Sequence, residues 1–85
     1  MEEFIRQVTD LLRQHFPDSD LEFERAGPQR IGGLLAWSGF TGVEQIARQR
    51  QVWQVLRAGL SPEDQLRISA VLTLTPEEMA AARAG

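Results

Sequence analysis

The folds open to this chain are limited most by two apolar segments of strand length. A segment of helix length separates them. The first, Ile31 to Trp37, carries apolar residues on both alternating faces, which is typical of a strand inside a sheet. The second, Ile68 to Thr75, is the clearest strand pattern, and we expect its even-numbered residues to share one apolar face. Because a helix between two strands carries the chain back to the end where the first strand began, the two strands should lie parallel in one sheet, joined by a right-handed crossover.

An additional strand and an amphipathic helix precede this unit. Residues Glu2 to Phe16 place their apolar side chains on one arc of a helix, which Pro17 ends. Leu21 to Arg25 alternates apolar and charged residues, as a half-buried strand does. The turn residues Gly27-Pro28 should join that strand to the next one as an antiparallel hairpin, with Gly32-Gly33 a candidate bulge.

Helix start and stop signals mark the rest of the chain. A helix is predicted from about Val43 to Ala58, with Gly59 as its stop. Ser61-Pro62-Glu63-Asp64 opens one or two short helical turns, because it combines a capping serine, a proline in the first position and acids in the first turn. Thr75-Pro76-Glu77-Glu78 repeats this pattern and starts a last helix through Ala84.

The predicted fold class is therefore α+β. A single domain, residues 1–85, has the element order helix, strand, strand, helix, strand, helix. This order predicts a small sandwich in which a three-stranded mixed sheet carries helices on one face.

Composition excludes several classes of function. The chain has no cysteine, which excludes cysteine-held metals and thiolate nucleophiles, and its one histidine is not accompanied by a GxSxG motif, so we expect no hydrolytic triad. We expect neither an enzyme nor a resident cofactor. His15 lies in the apolar arc near the end of the first helix. It can be interpreted either as a structural residue or as a functional one. The acidic N-terminus is no signal peptide and no apolar run spans a membrane, so a cytoplasmic protein is expected.

The middle helix carries the candidate site. Its projection predicts a buried stripe of Ile46, Trp53, Leu56 and Leu60, bordered by Val52, with Gln49 in its middle and arginines beside it. One interpretation is a core helix whose arginines pair with nearby acids. The other is a partner-binding surface formed by Arg48, Arg50 and an exposed part of Trp53, since Arg and Trp are typical interface anchors.

A nucleic-acid interpretation rests on Gly39-Phe40-Thr41-Gly42. This segment matches the GxxG loop of KH modules, which clamps backbone nucleotides. The KH loop joins two helices, whereas this segment joins a strand to a helix and contains no basic residue. The net charge of −3 also argues against strong phosphate binding.

Several of these segments, at consistent spacing, resemble the BolA family over about 50 residues from Ile31 to Met79. The matching residues are Phe40-Thr41-Gly42, Ile46, Arg48-Gln49-Arg50, Val52, Trp53 and Thr73-Leu74-Thr75-Pro76-Glu77-Glu78. The resemblance implies a BolA-type, KH-like α/β sandwich, in agreement with the element order read from the residues.

The resemblance also implies a function. Similar proteins pair with monothiol glutaredoxins and help to ligate a bridging two-iron cluster through a histidine at the start of the last strand. Here Arg67 stands at that position, and Gln49 replaces the central histidine of the Arg-His-Arg run. Because neither Arg nor Gln is a usual cluster ligand, the expectation is an adaptor that docks a protein partner without direct ligation. The predicted partner-binding residues are Arg48, Gln49, Arg50, Trp53 and Arg67, and a transcription-regulator role is the alternative.

Overall fold

Four helices and three strands make up the computed structural model, which describes residues 1–84. In chain order they are α1 (Glu2–His15), β1 (Asp20–Gly27), β2 (Arg30–Ala36), α2 (Gln45–Gly59), α3 (Pro62–Gln65), β3 (Ile68–Leu74) and α4 (Pro76–Ala84), with a 3₁₀ turn, Ser38–Phe40, between β2 and α2. The predicted α+β class is confirmed.

The three strands form one mixed sheet in the order β1-β2-β3. β1 and β2 are antiparallel, with Leu21 opposite Leu35, and β2 and β3 are parallel. The predicted hairpin and parallel crossover are therefore both confirmed. β2 lies in the centre, which explains why its apolar residues occupy both alternating sets.

The core lies between the sheet and the helices α1 and α2. The helix α1 presents Phe4, Val8 and Leu12 on one face, at the spacing of an amphipathic helix, and all three are buried. The fully buried large side chains of the core are Leu12, Ile31, Leu35, Phe40, Leu56, Val8 and Val52. No helix within residues 1–84 is long and apolar enough to cross a bilayer.

The predicted helix caps form as expected. The Ser61 hydroxyl accepts a hydrogen bond from the Asp64 backbone N–H at 3.1 Å, and Pro62 occupies the first turn of α3. At α4 the Thr75 hydroxyl accepts from the Glu78 N–H at 3.1 Å, while the Glu78 carboxylate accepts from the Thr75 N–H at 2.7 Å. This reciprocal pair is a capping box, and it fixes where α4 begins.

The prediction that the even-numbered residues of β3 share one face with Ile68 is wrong. Val71, Thr73 and Thr75 are buried, whereas Leu72 is 60% exposed. The pairing with β2 explains the difference, because Ile31 pairs with residue 68 but Gly32 pairs with residue 70, which leaves Ser69 as an extra residue. One extra residue moves every later side chain to the opposite face of the sheet.

Candidate functional site

The helix α2 is rotated relative to the orientation that its apolar residues predict. Its buried residues are Arg48, Val52 and Leu56, while Ile46 is 67% exposed. The predicted burial of Ile46 is therefore wrong, and Val52 belongs to the centre of the buried face rather than to its border. The polar residues that replace Ile46 on the inner face have partners on β3.

The outer edge of β3 explains why α2 turns polar side chains inward. An edge strand leaves every second backbone carbonyl without a neighbouring strand, and a buried carbonyl needs a donor. Gln49 Nε2 donates to the Val71 carbonyl at 2.8 Å, and Gln45 Nε2 donates to the Thr73 carbonyl at 3.0 Å. Arg48 Nη1 donates to the same Thr73 carbonyl at 3.2 Å. These three side chains cover the edge that β3 would otherwise expose.

Arg48 is a structural residue in this arrangement. It is only 6% exposed, its Nε donates to the Val43 carbonyl at 2.7 Å, and its Nη1 lies 2.7 Å from Glu78 Oε1. The guanidinium also lies 5.7 Å from the centre of the Phe40 ring. It therefore connects α2, β3, α4 and the turn before α2, and its charge is not presented to solvent.

Glu78 receives the Arg48 charge and caps α4 at the same time. The Thr75 backbone N–H, and after it the Arg48 side chain, holds the pKa of the Glu78 carboxyl below its ordinary value of 4.5. Both groups donate to the ionised form, which is why the proton is lost more easily. The capping box and the ion pair thus depend on one carboxylate.

Gln49 lies at the boundary between the interior and the surface. Besides the Val71 carbonyl, its Nε2 lies 3.1 Å from Thr73 Oγ1, and Thr73 in turn donates to Gln45 Oε1 at 2.7 Å. Its amide is half-buried, and it borders the outer concavity described below. A hydrogen-bonded amide at this position fixes α2 against β3.

Arg67 lies away from the other predicted site residues, on the side of α1. Its guanidinium carbon is 4.1 Å from the centre of the Phe4 ring, and its Nε donates to the Gln29 carbonyl at 3.3 Å. Asp64 forms an ion pair with it at 3.4 Å, and the Arg67 side chain is 35% exposed. The residue is accessible, but it does not border the concavities around Trp53.

The exposed side of α2 forms two adjoining concavities that share Trp53 and Arg57. We use the name α2 groove for the surface made by six of their residues: Arg30, Ile46, Arg50, Trp53, Arg57 and Leu66. None of the residues from 1 to 84 that line either concavity is acidic, and Leu66 is 75% exposed. Trp53 is half-buried and packs against the core from this side.

The structure therefore brings together three of the five predicted site residues: Gln49, Arg50 and Trp53 line the same concavity. Arg48 lies inside the structure and Arg67 lies beside α1. Four groove residues were not among the predicted site residues: Arg30, Ile46, Arg57 and Leu66. The signal for Ile46 was its spacing, because residues 46, 50, 53 and 57 follow the 4-3-4 spacing of a single helix face.

The residues present do not fit a cluster or metal ligand set. Within residues 1–84 no group of three or more His, Cys, Asp or Glu side chains is placed to hold a metal ion. Gln49 donates its amide hydrogens to β3, and Arg67 presents a cation. His15 lies on α1, exposed, with Nδ1 3.1 Å from the Leu11 carbonyl.

The Gly39-Phe40-Thr41-Gly42 segment packs into the structure. Phe40 is fully buried, and its ring lies 5.2 Å from that of Trp37 in an edge-to-face arrangement. Gly39 sits against the Trp37 ring so closely that a Cβ atom there would overlap with it. This segment joins a strand to a helix, as predicted, and its central aromatic side chain belongs to the core.

Solved structures share this fold along almost the whole chain. A bol-like protein from Babesia bovis superimposes with a TM-score of 0.66 at 23% identity, covering 92% of this chain and 91% of that one. BolA1 from Arabidopsis thaliana superimposes with a TM-score of 0.69 at 21% identity, covering 92% and 98%. No protein-family model and no curated protein sequence matches the chain.

These similarities define the fold class. The chain has the fold of the BolA-like proteins, with a three-stranded mixed sheet and four helices. The expected BolA-type architecture is thereby confirmed.

Proposed function

We propose that this chain is a divergent BolA-like protein that acts without catalysis, as an adaptor that binds a protein partner through the exposed face of α2. The observation that carries this proposal is the α2 groove. Arg50 and Arg57 flank a half-buried Trp53 there, and neither arginine forms an ion pair within residues 1–84. Tryptophan and arginine are among the residues enriched at the energetic centres of protein interfaces.

The start of β3 extends this candidate interface. Ile68 and Ser69 border the second concavity beside Arg30, so a partner on the α2 groove would also reach the beginning of β3. Arg67 lies next to this region and keeps about a third of its side chain exposed. Gln49 borders the first concavity and contributes an amide. Arg48 contributes indirectly, because it holds α2 in place against β3 and α4.

The partner that we propose first is a monothiol glutaredoxin. The support is the resemblance of the sequence to BolA proteins together with the shared fold. Because Arg67 and Gln49 are not cluster ligands, the proposed role is docking, in iron–sulfur or redox homeostasis, in which other groups hold the cluster.

A nucleic-acid module is the second candidate. The observation that favours it is the position of Trp53 between two arginines, because aromatic rings beside cations stack on unpaired bases. A gel-shift titration with single-stranded oligonucleotides at low salt tests it, and no shift at micromolar protein would exclude it.

The test of the adaptor proposal uses two charge-reversal variants. Arg50→Glu/Arg57→Glu alters the α2 groove, and Arg6→Glu/Arg13→Glu makes the same change at two exposed arginines, also seven residues apart, on α1. We expect a purified monothiol glutaredoxin to co-elute with the wild type and with the α1 variant, but not with the groove variant. Equal retention by both variants would place the interface elsewhere, and no binding to the wild type would remove glutaredoxin as the partner.

A further inference from the structure

The exposed side of α2 has the spacing of a helix-packing surface. Ile46, Arg50, Trp53 and Arg57 follow one another at intervals of four, three and four residues, which is the a/d spacing of a helix that packs along another helix. At 1.5 Å per residue the stripe is about 16 Å long, and the two arginines are about 10 Å apart along the axis. Within residues 1–84 most of this stripe is open to solvent, because Ile46 is 67% exposed and Arg50 and Arg57 are exposed, while Trp53 is half-buried.

The charge of the surface is opposite to that of the chain. The protein carries a net charge of −3, yet the α2 groove contains Arg30, Arg50 and Arg57 and no acid. None of the three pairs with a carboxylate in the described part of the chain, whereas Arg48, Arg67 and Arg83 all do. A ligand of this surface is therefore expected to supply carboxylates or phosphates.

The apolar residues of the groove distinguish between these two anions. Ile46 is 67% exposed and Leu66 is 75% exposed, with Trp53 between them. A phosphate backbone would leave these aliphatic side chains in contact with water. An amphipathic protein segment would cover them and gain about 25 cal/mol for each Å² of apolar surface removed from water. The combination of exposed aliphatic side chains and unpaired arginines favours a protein ligand.

We infer that the α2 groove binds an acidic amphipathic helix of a partner protein. Leucine-like side chains of that helix lie against Ile46, Trp53 and Leu66, and its carboxylates, about two turns apart, pair with Arg50 and Arg57. This inference rests on the proposed function, because it specifies what the partner presents to the same surface.

Helical peptides test this inference without an identified partner. The probe is an alanine-based peptide of about three heptads that carries two leucines four residues apart with glutamates beside them. Two matched control peptides carry glutamine or lysine in place of the glutamates. We expect binding of the glutamate peptide at micromolar concentration by fluorescence anisotropy, about tenfold weaker binding of the glutamine peptide, and none of the lysine peptide. The ¹H–¹⁵N signal of the Trp53 indole should shift, while that of Trp37, which donates to the Pro17 carbonyl, should not.

The variants and an oligonucleotide complete the test. Arg50→Glu/Arg57→Glu should weaken binding of the glutamate peptide at least about tenfold. Arg6→Glu/Arg13→Glu, with the same net charge, should leave it unchanged. Three results would each overturn the inference. The first is equal binding of the three peptides, and the second is an equal loss of binding in both variants. The third is tighter binding of a single-stranded oligonucleotide that shifts the Trp53 signal. If glutaredoxin binding is lost in the groove variant while no peptide binds, the proposed function stands and this inference fails. If the glutamate peptide binds the groove but the wild type does not bind glutaredoxin, the inference stands and glutaredoxin is removed as the partner.

Discussion

Arg48 Nη1 lies 2.7 Å from Glu78 Oε1, and this pair joins the buried face of α2 to the first turn of α4. The same carboxylate accepts the Thr75 N–H at 2.7 Å, so that the helix cap and the ion pair share one acceptor. Arg48 is nearly completely buried, whereas the Glu78 side chain is 46% exposed. The arginine therefore depends on its partners far more than the glutamate does.

Replacing Arg48 by alanine should destabilise the fold strongly. The substitution removes the donor to the Val43 carbonyl, one donor to the Thr73 carbonyl and the partner of Glu78. Loss of a buried charged hydrogen-bonding group costs about 2–4 kcal/mol. Urea denaturation should show a decrease of that size in the free energy of unfolding.

Arg50→Ala is the matched control for this experiment, because Arg50 lies two residues away on the same helix but is exposed. It should change the free energy of unfolding by no more than about 0.5 kcal/mol. Arg48→Lys, which keeps the charge but loses the planar set of donors, should fall between the two. Equal stabilities of the two alanine variants would contradict the structural role of Arg48.

Acid should remove the contribution of Glu78. The Thr75 N–H and Arg48 lower the pKa of this carboxyl in the folded state below 4.5. A lowered pKa means that the ionised form is favoured by folding, so the stabilisation is complete above the unfolded pKa and is lost as the pH falls through the folded value. We therefore expect the wild type to exceed Glu78→Gln in stability at neutral pH and to approach it as the pH falls below 4.5 and through the lowered folded-state pKa.

Denaturation midpoints measured at a series of pH values check this dependence. Glu77→Gln is the control, because Glu77 also lies in the first turn of α4 but makes no ion pair with any residue from 1 to 84. Its difference from the wild type should change less with pH. A difference for Glu78→Gln that stays constant down to acid would show that its carboxylate charge does not contribute.

The two adjacent glycines of β2 should respond differently to alanine. A Cβ on Gly33 would overlap with the Glu22 carbonyl oxygen of β1 and contact the Phe23 ring at 2.7 Å. A Cβ on Gly32 would lie 3.5 Å from the Ala26 Cβ, an ordinary contact. We expect Gly33→Ala to cost more than about 2 kcal/mol and Gly32→Ala less than about 1 kcal/mol, measured by thermal or urea unfolding. Equal effects would mean that β1 does not approach β2 this closely at Gly33.

The element order could be predicted from the sequence because its signals are local. The Ser61 and Thr75 caps and the Gly27-Pro28 turn depend on residues within a few positions, and each forms as predicted. The faces of α2 and β3 depend on distant groups. The carbonyls of β3 decide which side of α2 is buried, and Ser69, an extra residue in the pairing with β2, inverts the face of β3.

The candidate site, like the fold, could be predicted only where it depends on local spacing. Helical spacing placed Gln49, Arg50 and Trp53 together, and the structure keeps them on one concavity. The direction of an arginine, in contrast, is decided by partners remote in sequence. Arg48 is turned inward by Glu78, and Arg67 is turned toward α1 by the Phe4 ring. No local pattern contains that information, because these contacts exist only after the chain has folded.

A histidine at the start of β3 should change how the chain responds to an iron–sulfur cluster. In the BolA-like pattern a histidine ligates a bridging cluster from this position, and imidazole is a known cluster ligand where guanidinium is not. We expect the wild type to leave the visible absorption of a cluster-loaded monothiol glutaredoxin unchanged and Arg67→His to alter it.

The accessible position of Arg67, with a third of its side chain exposed, allows a partner to approach. Arg13→His places an equal imidazole in the last turn of α1, at the opposite end of that helix from Phe4, whose ring Arg67 contacts, and should have no effect. A spectrum altered equally by the wild type would show that a residue other than a histidine at position 67 supplies the ligand.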